Sequence, residues 1–288
     1  MSTRPFDTAR PLTASIDPAR ALERLRVRLC YIWRHGRLPD LSDPTLFTEL
    51  IQYRKLHDRD LRMPLLADKV RAKALVEGML GPDWVTPTLW SGTELPEDAA
   101  WPRPFVVKSR HGCNQVRVVR DGDGDDWAAV REEAHRWMRR PYGIWLDEWL
   151  YSRIPLGLLV EAFAGPGPDL PVDYKFFPFG GRVEYVQVHL DRECDHRWIV
   201  MDRDWNRVSA ATPDPDPPRP AGLDRMIAAA EMLGHGFDFV RVDLYDLADG
   251  PRFGEMTFYP GSGLDRFDPP ALDAVMGARW LRARTLTF

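Results

Sequence analysis

Residues 241–263 read RVDLYDLADGPRFGEMTFYPGSG, and this stretch holds the pattern that decides the fold. Two apolar, β-like runs flank a polar turn at 249–250, with Asp243 inside the first run and Glu255 inside the second. If the two strands pair antiparallel through that turn, both acids lie on one face of the sheet at about the same level. Two like charges at such a short distance repel each other unless a cation lies between them.

A magnesium ion suits this pair of acids, because Mg²⁺ takes one or two carboxylates and completes its octahedron with phosphate and water oxygens. Two acids on a solvated sheet face are the alternative that the spacing leaves open. The glycine loop at 260–263 favours the metal, since glycines expose backbone N–H groups that can hold anions. Arg241, two residues before Asp243, belongs to the same face and can reach a phosphate oxygen through forked hydrogen bonds.

The stretch FVVKSRHGCNQVRVV at 105–119 predicts a strand, a polar turn and a second strand. Lys108 ends the first apolar strand, and a lysine there is costly unless it meets an anion. Ser109, His111 and Gly112 belong to the turn, which suits a loop lying over the phosphates of a nucleotide. The GxxxxGK[ST] pattern of a P-loop is absent, and an ordinary hairpin is the alternative.

Two further segments suit nucleotide contacts. In LLVEAFAG, Glu161 ends an apolar run whose backbone can read an adenine edge, with Phe163 or Leu159 packed on the ring. A salt-bridged acid at a strand edge is the alternative for Glu161. In VDYKFF, Lys175 points opposite to its aromatic neighbours, so it either contacts a phosphate or is exposed on the strand.

The segment HLDRECDHRW carries a mixed cluster of charged side chains. Arg192, His196 and Arg197 crowd one strand end and the following turn. Such a cluster suits the carboxylate or phosphate of a substrate. A surface ion-pair network is the alternative.

The composition is typical of a soluble globular protein: 288 residues, 44% apolar and 28% charged, with a net charge of −4. That charge gives no overall basic field to recruit nucleic acid or an anionic membrane. No run approaches the ~18 apolar residues of a membrane span, and the start lacks the apolar region of a secretory signal. The scattered Cys30, Cys113 and Cys194 argue against a disulfide framework and for a reducing compartment, so we expect a cytoplasmic protein.

The order of helical and β-like segments indicates the fold class. Caps and apolar spacing predict helices from Pro18, over Pro44–His57 and from Asp68 to Gly81. Strands dominate the second half of the chain, with a hairpin folded at 180–181. This mixture of helices and mainly antiparallel strands predicts the α+β class.

The quoted segments together resemble the ATP-grasp superfamily, most closely its TupA-like branch, which is linked to teichuronopeptide and surface-polysaccharide synthesis. The specific motifs are GFDFVRVDLY at 236–245 and GEMTFYPGSG at 254–263, and the resemblance extends from about Phe47 to about Phe267. It implies an ATP-grasp fold in which two α+β lobes clasp ATP. The expected regions are a short helical N-terminal part at 1–66, a small lobe at 67–160 and a large lobe at 161–288.

The resemblance also implies ATP and Mg²⁺ as cofactors and a role for each candidate residue. The expected catalytic residues are Arg241 and Lys108. The expected nucleotide contacts are Lys108, Ser109, His111, Gly112, Glu161, Ala162, Phe163 and Lys175. The expected metal ligands are Asp243, Glu255 and Thr257; many ATP-grasp enzymes have asparagine in place of Thr257, which leaves a second metal ion open. The expected substrate contacts are Arg192, His196, Arg197, Gly261 and Ser262.

These roles predict an ATP-dependent carboxylate–amine ligase that forms an amide through an acyl-phosphate and releases ADP and phosphate. The expected substrates are a small-molecule carboxylate and an amine, such as an amino acid, a sugar acid, or a polysaccharide or natural-product precursor. No nucleic-acid or membrane partner is expected, and the protein is expected to be a monomer or a homodimer. A kinase acting on a hydroxyl group and a non-catalytic nucleotide- or glycan-binding module are the alternatives.

Overall fold

The fold is seen in a computed structural model of the chain. The structure describes residues 18–121, 126–165, 167, 169–190, 196–212 and 215–287, without the side chain of residue 287. The helices are α1 (Pro18–His35), α2 (Phe47–His57), α3 (Arg62–Ala67), α4 (Lys69–Leu80), α5 (Trp127–Trp137), α6 (Leu223–Gly234) and α7 (Ala271–Thr287). The strands are β1 (Thr88–Gly92), β2 (Phe105–Ser109), β3 (Val116–Val119), β4 (Leu158–Ala162), β5 (Asp173–Phe179), β6 (Arg182–Leu190), β7 (Arg197–Asp202), β8 (Arg241–Leu247) and β9 (Gly250–Thr257).

The first sheet has four antiparallel strands in the order β1-β4-β2-β3. Successive side chains of a strand point to opposite faces, so Phe105 and Val107 face one way and Val106 and Lys108 the other. Phe105 and Val107 are fully buried in a small core with Val130 of α5. The opposite face, which carries Lys108, is therefore left free to line a cleft.

The second sheet has five antiparallel strands in the order β7-β6-β5-β8-β9. Its apolar face carries Phe176, Val186 and Val242, and helix α6 contacts strands β5, β6 and β8. The predicted hairpin between β5 and β6 is confirmed, and φ is 59° at Gly180 and 80° at Gly181. Such left-handed angles favour glycine, which explains the Gly-Gly pair.

Helix α2 lies inside the protein and joins the N-terminal helices to the core of the second sheet. Its apolar residues Phe47, Leu50 and Ile51 are buried, and so are polar residues along the same helix. The ring of Phe47 lies 5.0 Å from that of Phe239 and 5.5 Å from that of Trp280 in α7. The N-terminal helices are therefore packed on the second sheet.

The α+β class and the antiparallel sheets are confirmed. The predicted division into regions 1–66, 67–160 and 161–288 stays a prediction; its second boundary falls inside β4, which belongs to the first sheet. Among the described residues, no helix has the length and apolar character needed to cross a membrane.

Gly277 of α7 gives a test of this packing. A Cβ atom at Gly277 would lie 2.1 Å from the carbonyl oxygen of Thr45 and 2.9 Å from the backbone nitrogen of Phe47. Because backbone atoms must move to admit it, we expect Gly277→Ala to lower the free energy of unfolding in urea by about 1–3 kcal/mol.

The control is Gly78→Ala in α4, where a Cβ atom would meet no described atom within 4 Å. This change should leave the free energy of unfolding unchanged or raise it by ~0.5–1 kcal/mol, because alanine favours a helix interior. Equal stability of the two variants would contradict the close approach of α7 to α2.

Candidate active site

A cleft of about 640 Å³ lies between the two sheets. Most of the predicted nucleotide and metal residues line it. These residues are Lys108, Glu161, Ala162, Phe163, Lys175, Asp243 and Glu255. The fold thus brings together side chains that are up to 147 positions apart in the sequence, Lys108 to Glu255.

The register of β8 and β9 places the two acids side by side. Asp243 pairs directly with Glu255, whereas the next residue, Leu244, pairs with Phe253. Gly254 is therefore the extra residue of a bulge, which adds local twist to the strand that carries Glu255. The expectation that the acids share one face at one level is confirmed.

Asp243 is buried and surrounded by positive charge. Arg241 donates two hydrogen bonds of 2.7 Å to its carboxylate, and Lys175 Nζ donates a third of 2.5 Å. Burial alone would raise the pKa of Asp243, but Arg241 and Lys175 hold that pKa below its usual value. Lys175 also bonds Asp173 Oδ2 at 2.7 Å, so the cations are shared between two acids.

Thr257 orients Glu255. The Thr257 hydroxyl donates to Glu255 Oε1 at 3.1 Å and accepts from Arg241 at 3.2 Å. Arg241 also contacts Glu255 Oε1 at 3.3 Å. These contacts hold the Glu255 carboxylate at the cleft while 29% of its side chain stays exposed.

The donor set fits one Mg²⁺ ion. No cluster of three or more His, Cys, Asp or Glu side chains suited to a metal exists among the described residues. Glu255 is accessible, whereas Asp243 has used three of its roughly four lone-pair directions on Arg241 and Lys175. A magnesium ion would then be held by Glu255, by the remaining lone pair of Asp243 and by phosphate oxygens.

Across the cleft, Glu161 lies between two lysines. Its Oε2 is 2.6 Å from Lys108 Nζ, and its Oε1 is 2.6 Å from Lys73 Nζ of α4. Burial would raise the pKa of Glu161, but the two cations lower it to about 2. The anion that the sequence requires for Lys108 is therefore present in the protein, and the salt-bridge alternative for Glu161 is correct for its side chain.

The turn after β2 has a different orientation from the predicted phosphate loop. Ser109 and His111 are fully buried and do not line the cleft. His111 Nε2 bonds the carbonyl of Trp137 at 3.1 Å, and its Nδ1 accepts from the backbone of Gly157 at 3.3 Å. Lys69 Nζ donates to the carbonyl of Gly112. The turn is thus tied to its neighbours, with its predicted side chains inward.

The cleft also has apolar lining residues that suit a planar ring. The apolar lining includes Val106, Val118, Phe163, Leu170 and Phe253. The guanidinium carbon of Arg120 lies 5.8 Å from the centre of the Phe163 ring. The backbone N–H of Ala162 is taken by the carbonyl of Pro87 at 3.0 Å, so this group does not face a ligand.

Sequence reasoning missed four cationic residues at the cleft. Lys69, Arg117 and Arg120 line it, and Lys73 reaches it through Glu161. Lys69 and Lys73 lie on one side of α4, at i and i+4, and this spacing is the signal that could have identified them.

Of the predicted substrate residues, the four that the structure describes do not line the cleft. Gly261 and Ser262 form a short 3₁₀ turn, Pro260–Gly263, in which Ser262 has a left-handed φ of 58°. Lys55 Nζ donates to the Ser262 carbonyl at 2.8 Å and to its hydroxyl at 2.6 Å. This turn is therefore bound to helix α2.

The His-Arg cluster is only partly visible. Arg192 lies outside the described residues. His196 contacts His189 of β6 at 2.8 Å, and Arg197 begins β7, the outer strand at the opposite edge of the sheet from β9. His189 pairs with Asp173, and its pKa is lowered by burial and then by the charges of Lys175 and Arg241. His196 therefore lies one contact away from the cations beside Asp243. The roles of His196 and Arg197 as substrate contacts stay predictions.

The sequence matches the TupA-like ATPgrasp family over residues 49–281. The chain belongs to this family. Membership confirms the ATP-grasp fold that the sequence motifs imply. No curated protein matches the chain.

Solved structures similar to this TupA-like protein include D-amino-acid ligases and an ATP-grasp ligase. The D-alanine–D-alanine ligase of Bacillus anthracis complexed with ATP is 15% identical, with a TM-score of 0.47 over 77% of this chain and 66% of that chain. The VanG D-Ala:D-Ser ligase of Enterococcus faecalis is 13% identical, with a TM-score of 0.45 over 78% and 62%. The PsnB ligase with a precursor variant, Mg and ADP is 15% identical, with a TM-score of 0.41 over 94% and 76%. The chain thus spans 66% and 62% of the lengths of the two D-amino-acid ligases.

Removing the charge of Glu161 tests the buried lysine–glutamate–lysine group. Glu161→Gln leaves Lys73 and Lys108 without their anion, so we expect the free energy of unfolding at neutral pH to fall by about 3 kcal/mol. Because the pKa of Glu161 is depressed in the folded protein, its ionised form stabilises the fold at pH values above the usual pKa of 4.5. That stabilisation is lost as the pH falls towards about 2. The difference in the free energy of unfolding between wild type and variant, measured by urea titration, should therefore disappear over this pH range.

Glu132→Gln, which removes an exposed ion pair of α5 with Arg136, serves as the control and should change stability little. A Glu161→Gln variant as stable as this control at neutral pH would contradict the proposed energetics.

Proposed function

We propose that this TupA-like protein is an ATP-dependent ligase that joins a carboxylate to an amine through an acyl-phosphate. The observation that carries the proposal is the pairing of Asp243 with Glu255 beside Arg241 and Lys175, opposite Lys108 across one cleft. Acids for a metal and cations for phosphates are the two requirements of phosphoryl transfer from ATP. Family membership supports ATP as the nucleotide.

The chain's own residues would bind and orient ATP. The apolar walls at Val106, Phe163 and Phe253 suit the adenine ring, and the cations Lys108 and Lys175 suit the phosphates. Arg241 presents a planar guanidinium that is already fixed on Asp243, so little entropy is lost when it meets developing negative charge. Such preorganised charges lower the barrier because they need no rearrangement during the reaction.

Glu255 and Asp243 are the residues that would hold Mg²⁺. When bound, the ion supplies charge neutralisation on the phosphate oxygens. Thr257 keeps the Glu255 carboxylate in place, and the neutral Thr257 hydroxyl is a weaker ligand than a carboxylate. We therefore propose one metal ion rather than two.

The reaction has two steps. A carboxylate oxygen of the acid substrate attacks the γ-phosphorus of ATP, ADP leaves, and an acyl-phosphate forms. The amine nitrogen then attacks the activated carbonyl, phosphate leaves, the nitrogen loses a proton, and an amide results. No protein nucleophile is needed; burial raises the pKa of the Cys113 thiol to about 12, so this cysteine stays protonated at neutral pH.

The substrates would be small molecules or a polysaccharide or natural-product precursor that bears a carboxylate. Ser262 does not line the cleft, but its strained backbone is maintained by Lys55 and Gln52 from α2, which supports the proposal that it contacts one of them. Strained residues held by their surroundings cluster at ligand sites.

Glu255→Gln tests the metal-binding role. Losing one preorganised electrostatic group costs ~2.7–4 kcal/mol of transition-state stabilisation, so kcat should fall about 10²–10³-fold. The control is Glu184→Gln on β6, which lies outside the lining of the cleft and forms ion pairs with Arg182 and with Arg279 of α7. Steady-state ADP release measures both, and a Glu255→Gln rate within threefold of the control would refute the assignment.

A hydroxylamine trap tests the acyl-phosphate. With a carboxylic-acid substrate, Mg-ATP and hydroxylamine, we expect a hydroxamate together with ADP and phosphate, because an activated carbonyl reacts with a strong nucleophile. A kinase would instead give a phosphate ester that persists in hydroxylamine. AMP and pyrophosphate would indicate adenylation and would overturn the proposed chemistry.

A further inference from the structure

We propose that helix α1 docks the protein on an anionic lipid surface, with leucine and tryptophan side chains in the membrane interface. Four apolar side chains on one side of α1 are exposed: Leu22 (51%), Leu25 (52%), Leu29 (55%) and Trp33 (80%). Their spacing of three or four residues places them in a single stripe along the helix. A stripe of this kind is what an interfacial amphipathic helix presents to lipid.

The stripe is distinct from the face that attaches α1 to the protein. Val27 and Tyr31 are buried on the other side of the helix, and the Tyr31 hydroxyl shares a 2.9 Å hydrogen bond with Thr48 of α2. Core packing therefore explains why apolar residues stand at Val27 and Tyr31, but it does not explain the exposed leucines of α1. A row of exposed apolar side chains marks an interaction surface in a folded protein.

The apolar surface extends to a neighbouring 3₁₀ turn, Ile144–Leu146. Helix α1 contacts this turn, and Arg26 Nε donates to Asp147 Oδ2 at 3.1 Å just after it. Ile144 and Trp145 are exposed on the turn. All eleven tryptophans of the chain lie in the described residues, and Trp33 and Trp145 are the two exposed ones. Tryptophan favours the membrane–water interface, where its ring is apolar and its N–H stays hydrated.

Positive charge borders the stripe. A groove of about 580 Å³ between α1 and α2 is lined by Arg24, Arg28 and His57, with Asp40 as the acid among its described lining residues. Neither arginine makes an ion pair with another described residue. Burial, followed by the charges of Arg24 and Arg59, lowers the pKa of His57, in keeping with a positive potential in the groove.

An anionic bilayer surface matches both the apolar stripe of α1 and the arginines in the groove next to it. Lipid accepts the leucine and tryptophan side chains, while anionic headgroups attract Arg24 and Arg28. A second copy of the chain fits less well, because a two-fold interface brings the same patch of both copies together and sets arginine against arginine. The net charge of −4 provides no attraction for the whole protein, so this surface acts locally.

Vesicle co-sedimentation of the full chain tests the proposal. We expect binding to phosphatidylcholine vesicles that contain phosphatidylglycerol, weak binding to phosphatidylcholine alone, and release in high salt. Leu25→Glu combined with Leu29→Glu should weaken binding by more than about tenfold. Arg24→Glu combined with Arg28→Glu should do the same, since each arginine near an anionic surface contributes about fivefold.

The matched control is Leu75→Glu combined with Met79→Glu, two exposed apolar residues at the same i, i+4 spacing on α4. Control vesicle binding should equal that of wild type, and thermal melts establish that each variant is folded. Absence of wild-type binding to the anionic vesicles, or equal loss in the control, overturns the proposal. A dimer in solution that Leu25→Glu with Leu29→Glu converts to a monomer also overturns it and assigns the stripe to a second copy.

Discussion

The register of β8 against β9 is the constraint on which the candidate site depends. It sets Asp243 opposite Glu255, and the bulge at Gly254 lets the two strands change register directly after that pair. A slip of β9 by one residue would turn Glu255 into the apolar core and separate it from Asp243, which a folded protein cannot tolerate without large cost. The hydrophobic alternation that buries Val242 and Leu244 therefore also positions the acids, so fold and site share one cause.

Pairing of opposite charges is what allows the face of the sheet that carries Asp243 and Glu255 to be buried. Asp243, Asp173 and Glu255 lie close to Arg241 and Lys175, with every cation shared by two acids or by an acid and Thr257. Isolated charges would be expelled or neutralised in such a place, whereas a mutually bonded group persists. The same bonds fix the side chains in position before any ligand arrives, which is the preorganisation that electrostatic catalysis requires.

Much of the fold and part of the site could be predicted from the sequence, because strand periodicity and turn glycines act locally. The paired acids, the hairpin at Gly180-Gly181 and the helix after Asp68 all follow from such local signals. The environment of His111 could not be predicted, since it depends on Trp137 and Gly157, which the fold brings from distant positions. The spacing of Lys69 and Lys73 indicates a shared side of α4, but the ion pair of Lys73 could not be predicted, because its partner Glu161 lies 88 residues away.

If the proposed function is correct, the sharing of Glu161 between Lys73 and Lys108 has a consequence for nucleotide exchange. A phosphate that draws Lys108 away does not leave a bare buried carboxylate behind, because Lys73 still neutralises Glu161. When the phosphate departs, Lys108 can return to the same partner. Binding and release of a phosphate then exchange one anionic partner of Lys108 for another. The charges that line the cleft therefore stay paired when no phosphate is bound.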